Sequence, residues 1–248
     1  ELYTSGRACF EAIERDIRAA QHHIHLLYYI FAPDEVGRRL RDLLIERAQA
    51  GVQVRLLVDA VGSAALGDAF LRPMREAHID VARFNPPRLL RFLTNRFRIN
   101  FRNHRKIIVV DGRVAYTGGL NVGDEYVTGR GDRPPWRDTH LRIEGAPVRW
   151  LQLTFLEDWQ FAVGSSPYGT LYFPAVTGAG RHLTQVVAAG PDTAAPVLQS
   201  MVLTAITSAH RRVLISTPYF VPDDVIFAAL TAAALRGVDV RVLLPRNS

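Results

Sequence analysis

The side chains able to do chemistry concentrate at one place, where His104 and Lys106 stand two residues apart ahead of the apolar run Ile107 to Val110. Of the 30 lysine and arginine residues, every one except Lys106 is arginine. A chain that uses arginine for general positive charge has here placed a compact ammonium with rotatable donors instead of a planar fork. The β-branched run ends at Asp111-Gly112, a two-residue hairpin signal, and Val114 to Thr117 returns. Side chains at i and i+2 of a strand share a face, so His104 and Lys106 are expected to project together and Arg105 away from them. A neutral imidazole can attack phosphorus, and a neighbouring cation can neutralise charge developing on the non-bridging oxygens. Gly118 and Gly119 are expected to let backbone amides approach a phosphate, with Asn121 adding a side-chain donor. Asp111 begins the turn, and a turn-forming role accounts for it as readily as a chemical one.

The elements that must position these residues follow from hydrophobic spacing. Residues 7–20, with Ala8, Ile13, Ile17 and Ala20 at helical intervals, predict an amphipathic helix. His23 to Phe31 predicts a strand, Asp34 to Gln49 a helix with the stripe Val36, Leu40, Leu43 and Leu44, and Val52 to Val58 a nearly continuous apolar strand. Strand, helix and strand in that order make a parallel unit. A further helix (70–77), a strand (81–84), a strand (136–145) and a long helix from Pro147 to Trp159 complete the first half. His22, His23 and His25 invite a metal reading, but ligating sets bring carboxylate or cysteine companions, and no metal and no cofactor is assigned. Asp138 is a candidate for the carboxylate that orients a catalytic histidine; a salt bridge to a neighbouring arginine explains it equally well.

Between Val81 and Val110 no acidic residue occurs, and Arg83, Arg88, Arg91, Arg96, Arg98, Arg102, Arg105 and Lys106 are interleaved with Leu89, Leu90, Phe92, Leu93 and Phe97. Such mixing suits a membrane interface. It also suits stacking on single-stranded nucleic acid, and a solvated loop is the plain alternative. Arg102, within this stretch, is counted among the candidate substrate-binding residues. The 248 residues are 48% hydrophobic with a formal net charge of +6, which argues against disorder and points to an anionic partner. One cysteine, Cys9, excludes an internal disulfide framework. No apolar run reaches the eighteen or so residues of a membrane span. The first residue is Glu1 and not methionine, so sequence upstream is expected.

Residues 164–181, rich in glycine, serine and proline, read as a connector between a first half (1–163) and the start of a second (182–248). After it the chain repeats itself. Ala209 to Phe220 parallels Ala20 to Phe31, Pro222-Asp223 parallels Pro33-Asp34, and Gly237 to Leu244 parallels Gly51 to Val58. The expected fold is therefore α/β, a mixed β-sheet flanked by helices, duplicated, with an incomplete second copy that lacks a His-x-Lys of its own.

The spacing His104-x-Lys106-x4-Asp111, continued by Gly118-Gly119-x-Asn121, resembles the HKD motif of the phospholipase D superfamily. That resemblance implies a phosphohistidine on His104, phosphate binding by Lys106 and no metal. Longer phrases narrow it: Arg102 to Lys106, Thr117 to Tyr126, Trp136 to His140, Gly190 to Asp192 and Thr217 to Asp223 are similar to the bacterial cardiolipin synthases of the phospholipase D type, over essentially all of the chain. The family likeness implies transfer of a phosphatidyl group from one phosphatidylglycerol to another with release of glycerol. His104 would attack the donor phosphorus while Lys106 and Asn121 hold its oxygens. It implies an anionic phospholipid partner and a place at the cytoplasmic face of the cell membrane, peripheral here, with an anchor upstream. The superfamily uses two motifs, the second histidine acting as acid and then base. We expect either that the sequence continues beyond Ser248, that a second chain completes the site, or that this stretch alone does not turn over. The same motif serves nucleases, so a phosphodiesterase acting on nucleic acid is the alternative, and a non-catalytic lipid-binding module is a third reading.

Overall fold

The computed structural model describes residues 1–86, 101–176, 180, 182–190 and 196–245. Two compact units are present, Glu1–Val186 and Val187–Ser248.

The first unit is a seven-stranded mixed sheet with helices on both faces. In chain order it runs β1 (Leu2–Tyr3), α1 (Gly6–Arg18), β2 (His23–Tyr28), α2 (Glu35–Gln49), β3 (Gln53–Asp59), α3 (Asp68–Glu76), β4 (Asp80–Phe84), β5 (Ile107–Val110), β6 (Val114–Gly118), β7 (His140–Glu144) and α4 (Pro147–Val163). The spatial order is β1-β7-β6-β5-β2-β3-β4. Only β2/β3 and β3/β4 pair in parallel, joined by crossover helices; the other pairs are antiparallel. Local chemistry sets the element ends. Ser5 caps α1 by accepting from the Ala8 amide, and Asp34 caps α2 by accepting from Gly37. Asp111 and Gly112 both have positive φ, 53° and 64°, and Arg113 N bonds Val110 O at 3.0 Å, as expected for a primed hairpin turn.

Strand alternation divides the core in two. Ile24, Leu26 and Tyr28 join α1, α2 and α3 in one apolar cluster with Val54, Leu56, Val58, Ile108 and Val110. Leu27, Leu57, Ile107 and Val109 meet Val148, Leu151, Phe155 and Trp159 of α4 on the opposite face. His23 and His25 share that second face. Gln152 of α4 bonds both, to His23 Nε2 at 3.1 Å and His25 Nδ1 at 2.8 Å, which satisfies one buried ring nitrogen of each beneath a helix. Within the stretch expected to be connector, Tyr172 is buried with its ring against His23 and His25.

The second unit has α5 (Val197–Thr207), β8 (Arg212–Ser216), α6 (Asp224–Leu235) and β9 (Asp239–Leu243), with β8 and β9 parallel. Ile206, Ala229, Leu230, Ala233 and Val238 form its small core. Strand, helix and parallel strand recur as the internal repeat predicts. The basic and apolar stretch falls largely on residues 87–100, which lie outside the described residues.

Candidate active site

β2 and β5 are antiparallel neighbours, with Leu27 opposite Ile107, so residues just past β2 and just before β5 meet at one end of the sheet. The segment Tyr29–Phe31 organises that end. The His104 ring stacks on Tyr29, with centroids 3.8 Å apart and planes 18° from parallel. Lys106 Nζ lies 5.6 Å from the same ring's centroid and donates to His104 O at 2.8 Å. Ile30 N donates to Asn121 Oδ1 at 3.2 Å, and Phe31 N to Ser63 Oγ at 3.0 Å. Imidazole and ammonium therefore stand together, but not on a strand as expected, because β5 begins only at Ile107. The cause is a competing set of acceptors. Asp59 Oδ2 takes the Asn103 amide and Asn103 Oδ1 takes the Arg105 amide, both at 3.0 Å, which withdraws these groups from the ladder. Arg105 does point away, onto Asp158 of α4 at 2.6 Å.

The electrostatics favour a neutral imidazole at His104. Partial burial, then the Lys106 charge, lower the His104 pKa below its ordinary value, while Asp59 opposes them. Burial also lowers Lys106, and the nearby Asp138 carboxylate works the other way. His140 on β7 is fully buried, and burial followed by the Lys106 charge push it down to about 4. Neither of its ring nitrogens has a hydrogen-bond partner among the described residues.

Other sequence expectations are corrected. Gly119 does not offer its amide to a ligand: that amide donates to Thr139 O at 2.9 Å. The glycine pair makes room instead. A Cβ on Gly119 would collide with the Asp138 carboxylate, and one on Gly118 would lie 2.5 Å from Thr139 O and 2.7 Å from His140 Nδ1. Asp138 does not orient His104; it accepts from Thr139 N at 2.7 Å and acts on Lys106 through charge. Arg102 is turned inward, its side chain only 11% exposed, with Nη1 3.6 Å from Asp59 and Nη2 donating to Asn85 O at 3.2 Å. Asn121 is buried and shared between Ile30 N and the Tyr126 hydroxyl. Asp111 sits at the opposite end of β5 from His104, where its carboxylate accepts from the amides of Gln21, His22 and His23 at 2.8, 2.8 and 2.9 Å. That is the turn-forming alternative, extended to fastening the start of β2.

Sequence reasoning missed Asp59 and Tyr29. Asp59 is fully buried and gathers the amides of Val61, Gly62 and Asn103 as well as Arg102. One signal was available, since it closes an apolar parallel strand and sites in α/β sheets lie at the carboxyl ends of such strands. Nothing in the sequence singled out Tyr29 from its neighbour Tyr28. Among the described residues, no group of three or more histidine, cysteine or acidic side chains is placed to hold a metal ion, and no helix is long and apolar enough to cross a membrane.

Comparison with known proteins accords with this geometry. Residues 13–132 and 202–248 match the family described as "Cardiolipin synthase, PLD-like domain". A cardiolipin synthase of Geobacillus thermodenitrificans is 47% identical over 248 residues, covering 99% of this chain and 49% of that protein. One from Alkalihalophilus pseudofirmus is 43% identical over 249 residues, covering 100% of this chain and 49% of its own length. The chain thus spans about half the length of the curated relatives it matches. Among solved structures, a phosphatidylserine synthase from Haemophilus influenzae Rd KW20 superposes with a TM-score of 0.70 at 15% identity, over 98% of this chain and 61% of that one. NucT from Helicobacter pylori follows the fold with a TM-score of 0.52 at 12% identity, over 66% of this chain and 96% of its own. With its His104–Lys106 pair and duplicated strand–helix–strand, the chain belongs to the phospholipase D-like family of cardiolipin synthases.

Proposed function

We propose that this chain carries the nucleophile half of a phosphatidyltransferase that makes cardiolipin from two molecules of phosphatidylglycerol. The observation that carries the reading is the pairing of His104 with the chain's one lysine on the face of Tyr29. The lowered pKa of His104 keeps a lone pair available near neutral pH. Its ring nitrogen attacks the phosphodiester phosphorus, the P–N bond forms as the P–O bond to glycerol breaks, and the Lys106 ammonium balances charge on the non-bridging oxygens. The hydroxyl of a second phosphatidylglycerol then displaces the histidine and regenerates it. Protonating the glycerol oxygen and deprotonating the acceptor call for a second histidine. With a single lysine, the chain holds one His-x-Lys, so that second group comes from elsewhere in the full-length protein or from another chain. The net charge of +6 suits an anionic phospholipid and a peripheral position on the cytoplasmic face of the membrane.

The test is to incubate the full-length protein encoded by the gene, and separately this chain, with phosphatidylglycerol vesicles and analyse the lipids. We expect cardiolipin from the full-length protein and a drop of at least about 10³-fold in His104→Gln, as for loss of a nucleophile. Absence of cardiolipin with cleavage of oligonucleotides would favour the nuclease reading.

A further inference from the structure

We infer that Tyr29 is the positioning residue of the reaction, its ring fixing the plane of the His104 imidazole and drawing the Lys106 ammonium toward its face. The inference rests on the proposed phosphohistidine chemistry. A nucleophilic histidine is ordinarily oriented by a hydrogen bond from one ring nitrogen to a carboxylate or carbonyl. His104 is exposed, and among the described residues no hydrogen bond to either of its ring nitrogens is present. Asp59, the carboxylate whose charge acts on His104, has its oxygens committed to three backbone amides and Arg102. What does touch the imidazole is Tyr29, at 3.8 Å and nearly parallel.

Tyr29 is itself held from behind. A Cβ on Gly62 would lie 2.7 Å from two atoms of the Tyr29 ring and collide with the Tyr29 carbonyl, so the Gly62 backbone packs closely against this residue. Ser63 Oγ donates to Tyr29 O at 2.9 Å while accepting Phe31 N at 3.0 Å, which locks the chain on either side. The loop that does this, residues 61–63, is fastened in turn by Asp59 through Val61 and Gly62. Stacking fixes the ring plane while leaving the lone pair of the attacking nitrogen in that plane and open, as an in-line attack requires. The negative face of the phenol ring also attracts Lys106, and one aromatic platform therefore sets the distance between nucleophile and phosphate-binding cation. What this platform needs is the ring face, not the hydroxyl.

The experiment compares Tyr29→Phe and Tyr29→Leu in the full-length protein, measuring kcat and KM for cardiolipin formation from phosphatidylglycerol vesicles, and records the His104 ring-proton resonances of this chain by NMR, assigned with His104→Gln. We expect kcat to fall about 10- to 100-fold in Tyr29→Leu, the range for a displaced reacting group, with KM within about twofold and rescue by Tyr29→Phe. The His104 resonances should be shifted upfield by the ring in wild type and Tyr29→Phe and lose that shift in Tyr29→Leu. Should Tyr29→Leu not fold, Tyr29→Met, flexible and apolar, is read in the same way. Unchanged kcat in the leucine variant, or an equal loss in the phenylalanine variant, overturns the inference. If wild type makes no cardiolipin, the proposed function fails and the NMR arm decides alone: an upfield shift abolished by leucine sustains the positioning role, and no shift ends it.

Discussion

β2 is buried along its whole length, His23 to Tyr28, whereas β8, which repeats it, alternates between exposed and half-buried from Arg212 to Ser216. Both strands lead through an aspartate cap into a helix. Asp34 accepts from Gly37 and Asp223 from Ile226, each three residues on, and both helices stop ahead of a glycine, Gly51 and Gly237. Both helices deliver a parallel partner in matching register, His23 with Gln53 and Arg212 with Asp239. The local instructions are equal; the surroundings are not. β2 has β5 on its free edge and α4 over its second face, while among the described residues β8 pairs only with β9. Burial is thus a property the strand receives from distant partners. The copies also differ where the site is built: the positions matching Tyr29 and Asp59 hold Pro218 and Pro245, so the duplication carried over the scaffold but not the residues around His104.

The comparison can be broken most forcefully at Asp59. Asp59→Ala leaves the largely buried Arg102 without its counter-charge and three amides without an acceptor, and we expect a loss of about 3–5 kcal/mol, the range for breaking a buried ion pair. Trp136, Trp150 and Trp159 all lie in the first unit, so fluorescence-monitored urea melts report that unit. A loss below about 1 kcal/mol would mean that the loop holds without the carboxylate.

A second asymmetry is acid sensitivity. His23 and His25 have folded-state pKa values lowered first by burial, His25 the more strongly, and no buried histidine occurs among the described residues of the second unit. The unfolded chain therefore binds more protons than the folded one just below the ordinary histidine pKa. Their contribution is fully present above about pH 6.5 and is lost as pH falls toward the folded-state values, at up to about 1.4 kcal/mol per pH unit for each histidine. Tryptophan-monitored melts at pH 7.5 and 5.5 should show this fall, and the double variant His23→Gln, His25→Gln should reduce it, leaving the share of buried His140. A wild-type midpoint indifferent to pH would contradict the assigned environment.

The smallest effect separates the two caps. Asp223→Ala should cost about 1 kcal/mol, the usual value for a lost N-cap. Asp34→Ala should cost more: the second bond of Asp223 comes from the exposed Gln199 side chain, whereas Asp34 Oδ2 accepts the part-buried backbone amide of Asp124 at 2.7 Å, tying α2 to the segment after Asn121. Equal losses in denaturant titrations would show that this second bond contributes nothing net.

Much was legible from sequence because the signals are local. The hairpin at Asp111-Gly112 follows from two residues that accept positive φ, the helices from apolar stripes of period 3.6, and the repeat from direct alignment of the two copies. The pairing of His104 with Lys106 was readable from their spacing and from the scarcity of lysine. Other features were misread for a common reason. Glycines 118 and 119 look like a phosphate cradle until β7 is laid beside β6 and Asp138 fills the space above them. Arg102 looks like a surface cation until Asp59, at the end of β3, draws it inward.

By itself the sequence determined the element order, the strand–helix–strand and its copy, the hairpin, and the identity of the imidazole and ammonium. The tertiary structure alone decided that Tyr29 lies under His104, that Asp59 gathers the amides around it, and that Asp111 fastens β2 and stands far from the chemistry. Periodicity and turn preference act over a few residues, whereas a carboxylate that accepts an amide 44 residues away is selected only once the strand order is set.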